Sequence, residues 1–232
     1  MESLLKNEFK SGVIDSIPII LGYVSMAITF GFMASNMGLS LLAAMFMSIL
    51  MYAGSSQFMI LSLLAAGSGL WEMVFTTFLI NFRFLLIGTS FLNKFEDKMG
   101  YSKLFIGQTL TDETFTISSF REKKLTTSYI LGLNTSSYLS WVLGTYIGVT
   151  FGSIIPSILS QGMGIALYAM FISILVPQCK LSKLVSLVVA LTIVLSIVIT
   201  YTNVFSKGIG IIISIIIPAV IGTIIKRKFS KR

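Results

Sequence analysis

Apolar residues fill eight long stretches of the chain, at about 16–37, 40–66, 70–92, 103–120, 127–152, 161–177, 183–202 and 208–225, with polar residues gathered between them. A helix needs roughly 20 residues to cross a hydrocarbon layer of ~30 Å, and most of these stretches reach that length. None shows the strict apolar–polar alternation of a membrane β-strand. The pattern predicts an all-α integral membrane protein, a polytopic helical bundle of six to eight membrane segments.

Two stretches are interrupted. The second breaks into Ala-Gly-Ser-Ser-Gln at residues 53–57 before resuming, and the fourth reads LFIGQTLTDETFTISSF from Leu104. In hydrocarbon every backbone N–H and C=O needs a partner, so irregular backbone survives only where it is buried in protein or lines a cavity. Broken or re-entrant helices are therefore expected at about 40–66 and 103–120.

Composition makes the membrane reading firm. Of 232 residues, 55% are hydrophobic and 11% charged, whereas ordinary soluble domains carry about 25% charged residues. Nearly all of residues 1–232 are spent on a single transmembrane domain, with 1–15 as a cytoplasmic N-terminal segment and 226–232 as a basic cytoplasmic tail. The first apolar stretch is long enough to stay in the membrane rather than be removed as a signal peptide. No G-x-x-x-x-G-K-[ST] loop is present, so ATP hydrolysis by this chain is not expected. His is absent and Cys179 is the only cysteine. Histidine proton relays and Cys/His metal sites are thereby excluded, no cofactor is expected, and an enzyme lacks a recognisable nucleophile–base set.

The net charge of +8 lies between apolar stretches and in the tail, which is the positive-inside pattern and no sign of nucleic acid binding. If all eight stretches cross from a cytoplasmic N-terminus, 12 Lys and Arg fall inside and four, Lys94, Lys98, Lys103 and Lys207, fall outside, with Arg83 in the membrane. If 40–66 and 103–120 each leave by the side they entered, the count becomes 15 against one. Both arrangements put the two termini in the cytoplasm.

Arg83 lies about 20 Å along its helix from Leu70 and about 14 Å from Leu92. A charged Arg at such a depth costs roughly 2.5–3.5 kcal/mol on insertion scales and must be compensated. Its planar fork suits a substrate carboxylate; a carboxylate of the chain, such as Asp112, would also serve. In the fourth stretch Gln108, Thr109, Asp112, Thr116 and Ser119 recur at helical spacing, and Asp112 and Glu113 are candidates for proton or cation coupling. The same stripe is compatible with an amphipathic helix lying on the membrane surface. Gly54 permits an unwound backbone, and Ser55 or Ser56 can cap a resumed half-helix whose free N–H groups attract an anion, with Gln57 adding a side-chain amide. Close helix packing would explain the same small residues. Asn81, Asn134 and Ser137 are further pathway candidates. Gly144, Gly148 and Gly152 form a smooth stripe on which another helix, of this chain or another subunit, can pack.

At these residues the chain resembles the AzlC family, the large subunits of bacterial branched-chain amino acid exporters (the LIV-E family). The matching stretches are DSIPIILGYVSMAITFGFMASNMGLS from Asp15, YAGSSQFMILSLLAAGSGLW from Tyr52, NFRFLLIGTSF from Asn81, LTDETF from Leu110 and SSYLSWVLGTYIG from Ser136. They keep family order and reach to about residue 180. The resemblance implies a secondary transporter subunit that exports branched-chain or similar apolar amino acids across the bacterial cytoplasmic membrane. It also implies a small, separately encoded AzlD-type membrane subunit as partner, and it leaves room for a homo-oligomer of that heteromer. The family's small-polar motif falls on Ala53, Gly54, Ser55, Ser56 and Gln57, its intramembrane Arg on Arg83 and its acidic motif on Thr111, Asp112 and Glu113. One departure matters: the family often has His after this Arg, and here Phe84 stands. Proton coupling, if any, then passes through Asp112 or Glu113. On this reading an aliphatic substrate side chain lies among Met51, Phe58 and Met59. An accessory or scaffold subunit and a small-solute channel are the alternatives.

Overall fold

The computed structural model describes residues 2–92, 100–121, 124–152, 172, 175–176, 179–202, 204–205 and 207–229. Among these the elements are α1 (Glu2–Asp15), α2 (Ile17–Asn36), α3 (Leu41–Phe46), a π-helical turn (Met47–Met51), α4 (Gly54–Ala65), α5 (Leu70–Leu92), α6 (Ser102–Gln108), α7 (Asp112–Phe120), α8 (Thr127–Phe151), α9 (Lys183–Thr202) and α10 (Lys207–Phe229). The helical bundle predicted from the apolar stretches is thus present, and the stretches at 40–66 and 103–120 are broken as expected. The stretch at 161–177 lies largely outside the described residues.

The chain forms two compact units, residues 1–61 with 79–164, and residues 62–78 with 165–232. In the second, α9 and α10 pack as a pair: Gly222 lies under Val188 and Gly210 against Ile199. Gly208 of α10 meets the side chain of Glu72. Outward-facing Ile193, Val194 and Ile197 of α9 are what a helix bordered by lipid requires.

The first unit is organised along α8. The charged N-terminal segment is itself a helix, and it continues into α2 almost without a break. Ser16 keeps a helical backbone (φ −77°, ψ −13°), and the bonds Ser16 N to Gly12 O (3.0 Å) and Ile20 N to Ser16 O (2.9 Å) carry the helix through. The rod lies parallel to α8. A Cβ on Gly12 would strike the Tyr129 carbonyl, one on Gly132 that of Phe9, one on Gly31 that of Thr145 and one on Gly148 that of Ile28; Gly144 sits on Ala27 and Gly152 on Phe32. The glycine stripe of α8 therefore packs inside this chain, where absent side chains let the backbones touch and dispersion contacts accumulate. Polar bonds fasten the lower end. Arg121 pairs with Glu8 at 2.7 Å and stacks 3.6 Å above the Tyr129 ring, and the Tyr129 hydroxyl donates to Asp15 at 2.8 Å.

With α8 as a ruler, both broken segments double back. The first descends from the α8 C-terminal end. Ser48 bonds Thr145 at 2.7 Å, and the Tyr52 ring reaches Tyr138 at 4.9 Å. It then turns: Gln57 bonds back to Ser48 at 2.9 Å and Phe58 rests on Phe30 at 5.8 Å, level with the start. The second belongs to the N-terminal half of α8. Phe105 meets Tyr138 at 6.2 Å, Thr109 meets Asn134 at 3.1 Å, and after α7 the chain has returned to Arg121 beside Tyr129. The arrangement with two re-entrant segments, which also sorts the basic residues 15 to one, is the one this register matches. On that arrangement Tyr101, 93% exposed, is expected on the same side of the membrane as α1. In a Cys179→Ser background, cysteines at Lys6 and Tyr101 should react with an impermeant maleimide from one and the same side. Reaction from opposite sides would mean that α6–α7 crosses.

Candidate functional site

The tips of the two re-entrant segments meet beside the middle of α8. In the first, the Tyr52 N–H reaches back to Met47 O at 3.3 Å, and Tyr52 itself adopts left-handed geometry (φ 42°, ψ 47°). That conformation costs a non-glycine residue roughly 1–2 kcal/mol. The ring is held by edge contacts with Tyr23 (6.3 Å) and Tyr138 (4.9 Å). Carbonyls freed by the break are met by side chains: Ile49 O accepts the Tyr138 hydroxyl at 3.0 Å, and Leu50 O accepts from the Gln108 amide.

The turning residue is thus Tyr52, where Gly54 was expected. Gly54 is needed for another reason, since a Cβ there would stand 2.6 Å from the Trp141 ring. Ser55 and Ser56 likewise do not cap α4. Ala53 O accepts the Gln57 N–H at 2.9 Å, so both serines lie within the first turn, where the helix N–H groups have no intrahelical acceptor.

In the second segment residues 109–111 separate α6 from α7. The polar stripe expected from Gln108 to Ser119 is consequently split over two helices. Of that stripe Thr109 is buried, Asp112 is half-buried, and Gln108, Thr116 and Ser119 are exposed, while Thr114 and Ser118 beside it are buried. Thr111 caps α7 and forms a reciprocal capping box with Thr114. Asp112 and Glu113 then stand in the first turn, where the helix dipole favours carboxylates.

Around these tips the predicted residues converge. Arg83 of α5 reaches both: its Nη1 pairs with Asp112 Oδ2 at 2.8 Å, and its Nη2 donates to Ser55 Oγ at 3.0 Å. Ser56 Oγ donates to Asn81 Oδ1 at 2.7 Å, two residues earlier on α5. Gln57, fully buried, accepts from Trp141 Nε1 at 2.9 Å while donating to Ser48. The Tyr23 hydroxyl donates to Glu113 Oε2 at 2.7 Å and lies 2.9 Å from Thr111 Oγ1. Asn134 holds the second tip through Thr109. Ser137 stays apart, its hydroxyl bonded to Leu133 O of its own helix at 2.9 Å. Phe58 is packed on Phe30 and buried, while Met51 and Met59 stay partly open.

Tyr23, Ser48, Tyr52, Tyr138, Trp141 and Thr145 are the parts that sequence reasoning missed. The available signal was weak: a Tyr or Trp placed mid-span, whose hydroxyl or indole N–H needs a partner when buried. The arrangement offers a positive pole, Arg83 with the first turn of α4, beside a negative pole, Asp112 and Glu113. Such a dipolar site can bind an amphoteric small molecule. Among the described residues no group of three or more His, Cys, Asp or Glu is placed to hold a metal ion.

A model of the AzlC protein family matches residues 18–155, more than half of the chain and every residue of this site. The chain belongs to the AzlC family. Relatives of this AzlC protein include the inner membrane protein YgaZ of Escherichia coli strain K12, 34% identical over 177 residues, 72% of each chain. An uncharacterised membrane protein of Archaeoglobus fulgidus is 32% identical over 183 residues, 78% of this chain and 80% of that one. The branched-chain amino acid transport protein AzlC of Bacillus subtilis strain 168 is 28% identical over 173 residues, 73% and 67%. No solved structure matches. As an AzlC protein this is a multi-pass membrane protein with a role in transport, and membership of a transport family implies that it is not an enzyme.

Proposed function

We propose that this AzlC protein is the large subunit of a proton-coupled secondary exporter of branched-chain or similar apolar amino acids. It works in the bacterial cytoplasmic membrane with both termini in the cytoplasm, beside a small AzlD-type subunit. The observation that carries this reading is the meeting of two re-entrant tips at Arg83, with the N-terminus of α4 and the acidic pair of α7 on either side. Discontinuous helices whose half-helix N-termini point at anionic substrate groups are a recurrent device of secondary transporters. The substrate carboxylate docks at the first turn of α4 and at Arg83, and its aliphatic chain lies toward Met51 and Met59. The tips reach the site from opposite ends of α8, so withdrawing one opens the site to one side while the other keeps it shut. Asp112 or Glu113 supplies the proton-binding group.

The test is efflux from cells preloaded with dipeptides of Leu, Ile, Val or Met, expressing this chain, its small partner, or both. Relief of amino acid accumulation only when both are present is the expected result. Normal relief by the partner alone would make this chain accessory. Efflux that runs only downhill and ignores a collapsed proton gradient would make it a channel.

A further inference from the structure

Asp112 and Glu113 are consecutive and chemically alike, but the structure gives them different partners. Asp112 is matched by Arg83 at 2.8 Å. Glu113 meets hydroxyls, with Tyr23 donating to it at 2.7 Å. Among the described residues the ion pairs are Arg83–Asp112 and Arg121–Glu8, so no cation offsets the charge of Glu113. The titratable and charged groups that face it are Tyr23 from α2, Tyr52 from the first tip with Tyr138 of α8 behind it, Asp112 on its own helix, and Arg83, whose bonds go to Asp112 and Ser55. A second, independent observation marks the same place. Tyr52 is 4% exposed, its ring meets that of Tyr23 (the donor to Glu113) at 6.3 Å, and by hydrogen-bond geometry its hydroxyl has no partner among the described residues. A lone carboxylate in a membrane interior calls for a cation, and a buried hydroxyl without a partner calls for a donor or acceptor.

Resting on the exporter reading, we propose that the Glu113 carboxylate holds the ammonium group of the substrate and, once the substrate has left, a proton. An amino acid is a zwitterion. Its carboxylate belongs to the pole formed by Arg83 and α4, and its ammonium belongs to Glu113, the carboxylate of this site that Arg83 does not pair. The Tyr52 oxygen is then free to accept one ammonium N–H, while Tyr23 keeps its bond to Glu113. Proton and ammonium compete for the same carboxylate, so one leaves as the other arrives. That is the sign an exporter needs: the proton enters as the amino acid exits. Coupling through Asp112 would run the other way. A substrate carboxylate that displaced Asp112 from Arg83 would favour protonated Asp112, so proton and substrate would bind together and travel together.

The experiment is leucine binding to the protein purified from membranes with any co-purifying subunit, followed from mildly alkaline to mildly acidic pH. Competition between proton and ammonium for one carboxylate requires that wild-type affinity fall as the pH is lowered, by up to about tenfold per pH unit. Glu113→Gln should bind about tenfold or more weakly, with a flat pH profile, and Glu113→Asp should restore the slope. On the wild-type protein, 4-methylpentanoate, which is leucine without its amino group, should bind with no such slope over the same range. Wild-type leucine binding with an unchanged pH slope in Glu113→Gln, or a slope lost only in Asp112→Asn, would overturn the assignment and leave the exporter reading intact. So would an equal slope for 4-methylpentanoate. Failure of the wild-type protein to bind leucine, isoleucine, valine or methionine at any pH would overturn the exporter reading and this assignment with it.

Discussion

Replacing Arg83 by alanine is expected to abolish amino acid export while the protein still reaches the membrane, and to lower its stability in detergent. Two contacts are lost together: the ion pair with Asp112 at 2.8 Å and the bond to Ser55 at 3.0 Å. They tie α5 to both tips, and the bond from Ser56 to Asn81 is then left as its link to the first. Removing one partner of a fully buried pair costs about 3–5 kcal/mol, because the other charge is left without compensation. Here 41% of the Arg83 side chain and 29% of the Asp112 side chain remain uncovered, so a smaller loss is expected. The double variant Arg83→Ala with Asp112→Asn removes both charges and should recover most of the thermal stability without recovering export. Arg83→Lys keeps the charge but loses the planar fork that reaches two acceptors at once; stability near wild type with much reduced export is expected. Wild-type export by a well-assembled Arg83→Ala protein would remove Arg83 from the transport path. A double variant no more stable than the single one would show that the two charges are not a unit.

How far this site could be read from the sequence follows from which residues announce themselves. Arg83, Asp112 and Glu113 stand out because charge is rare in a chain with mean hydropathy +0.91, and the break at 53–57 because small polar residues interrupt an apolar run. The breaks in both segments were also legible, through the polar residues that interrupt them. What was not legible depends on shape. Tyr52 turns the first tip although glycine is the usual choice for positive φ, because its ring is gripped by two other tyrosines. Gly54 is glycine because Trp141 lies against it, a contact between residues far apart in the chain. The N-terminal segment read as a charged approach to the membrane; only the backbone contacts of Gly12 with Tyr129 and of Gly132 with Phe9 reveal it as the first part of a rod along α8. Nor does spacing distinguish Asp112 from Glu113. Their different partners come from α5 and α2, which the fold brings to one place.

Gly148→Val is expected to remove the folded protein from the membrane altogether, where most substitutions in the chain would merely weaken it. A Cβ at this position meets the carbonyl, C and Cα of Ile28, all backbone atoms. Overpacking a core with an extra side chain costs about 1–3 kcal/mol when neighbours can change rotamer. Backbone has no rotamer to change, so α2 and α8 must move apart over the whole stretch where Gly31, Gly144 and Gly152 also hold them close. Separation also undoes the site, because Tyr23 of α2 bonds Glu113 while Trp141 of α8 covers Gly54 and bonds Gln57. Gly22 supplies the contrast. It lies on α2 with nothing within 4 Å of its missing side chain, so Gly22→Ala should be tolerated and even gain up to about 1 kcal/mol from helix propensity. Fluorescence-detected size exclusion of tagged variants reads both outcomes. A monodisperse, transport-active Gly148→Val protein would mean that α2 and α8 are not in backbone contact at that level. The register along α8, and with it the meeting of the two tips at Arg83, would then need to be redrawn.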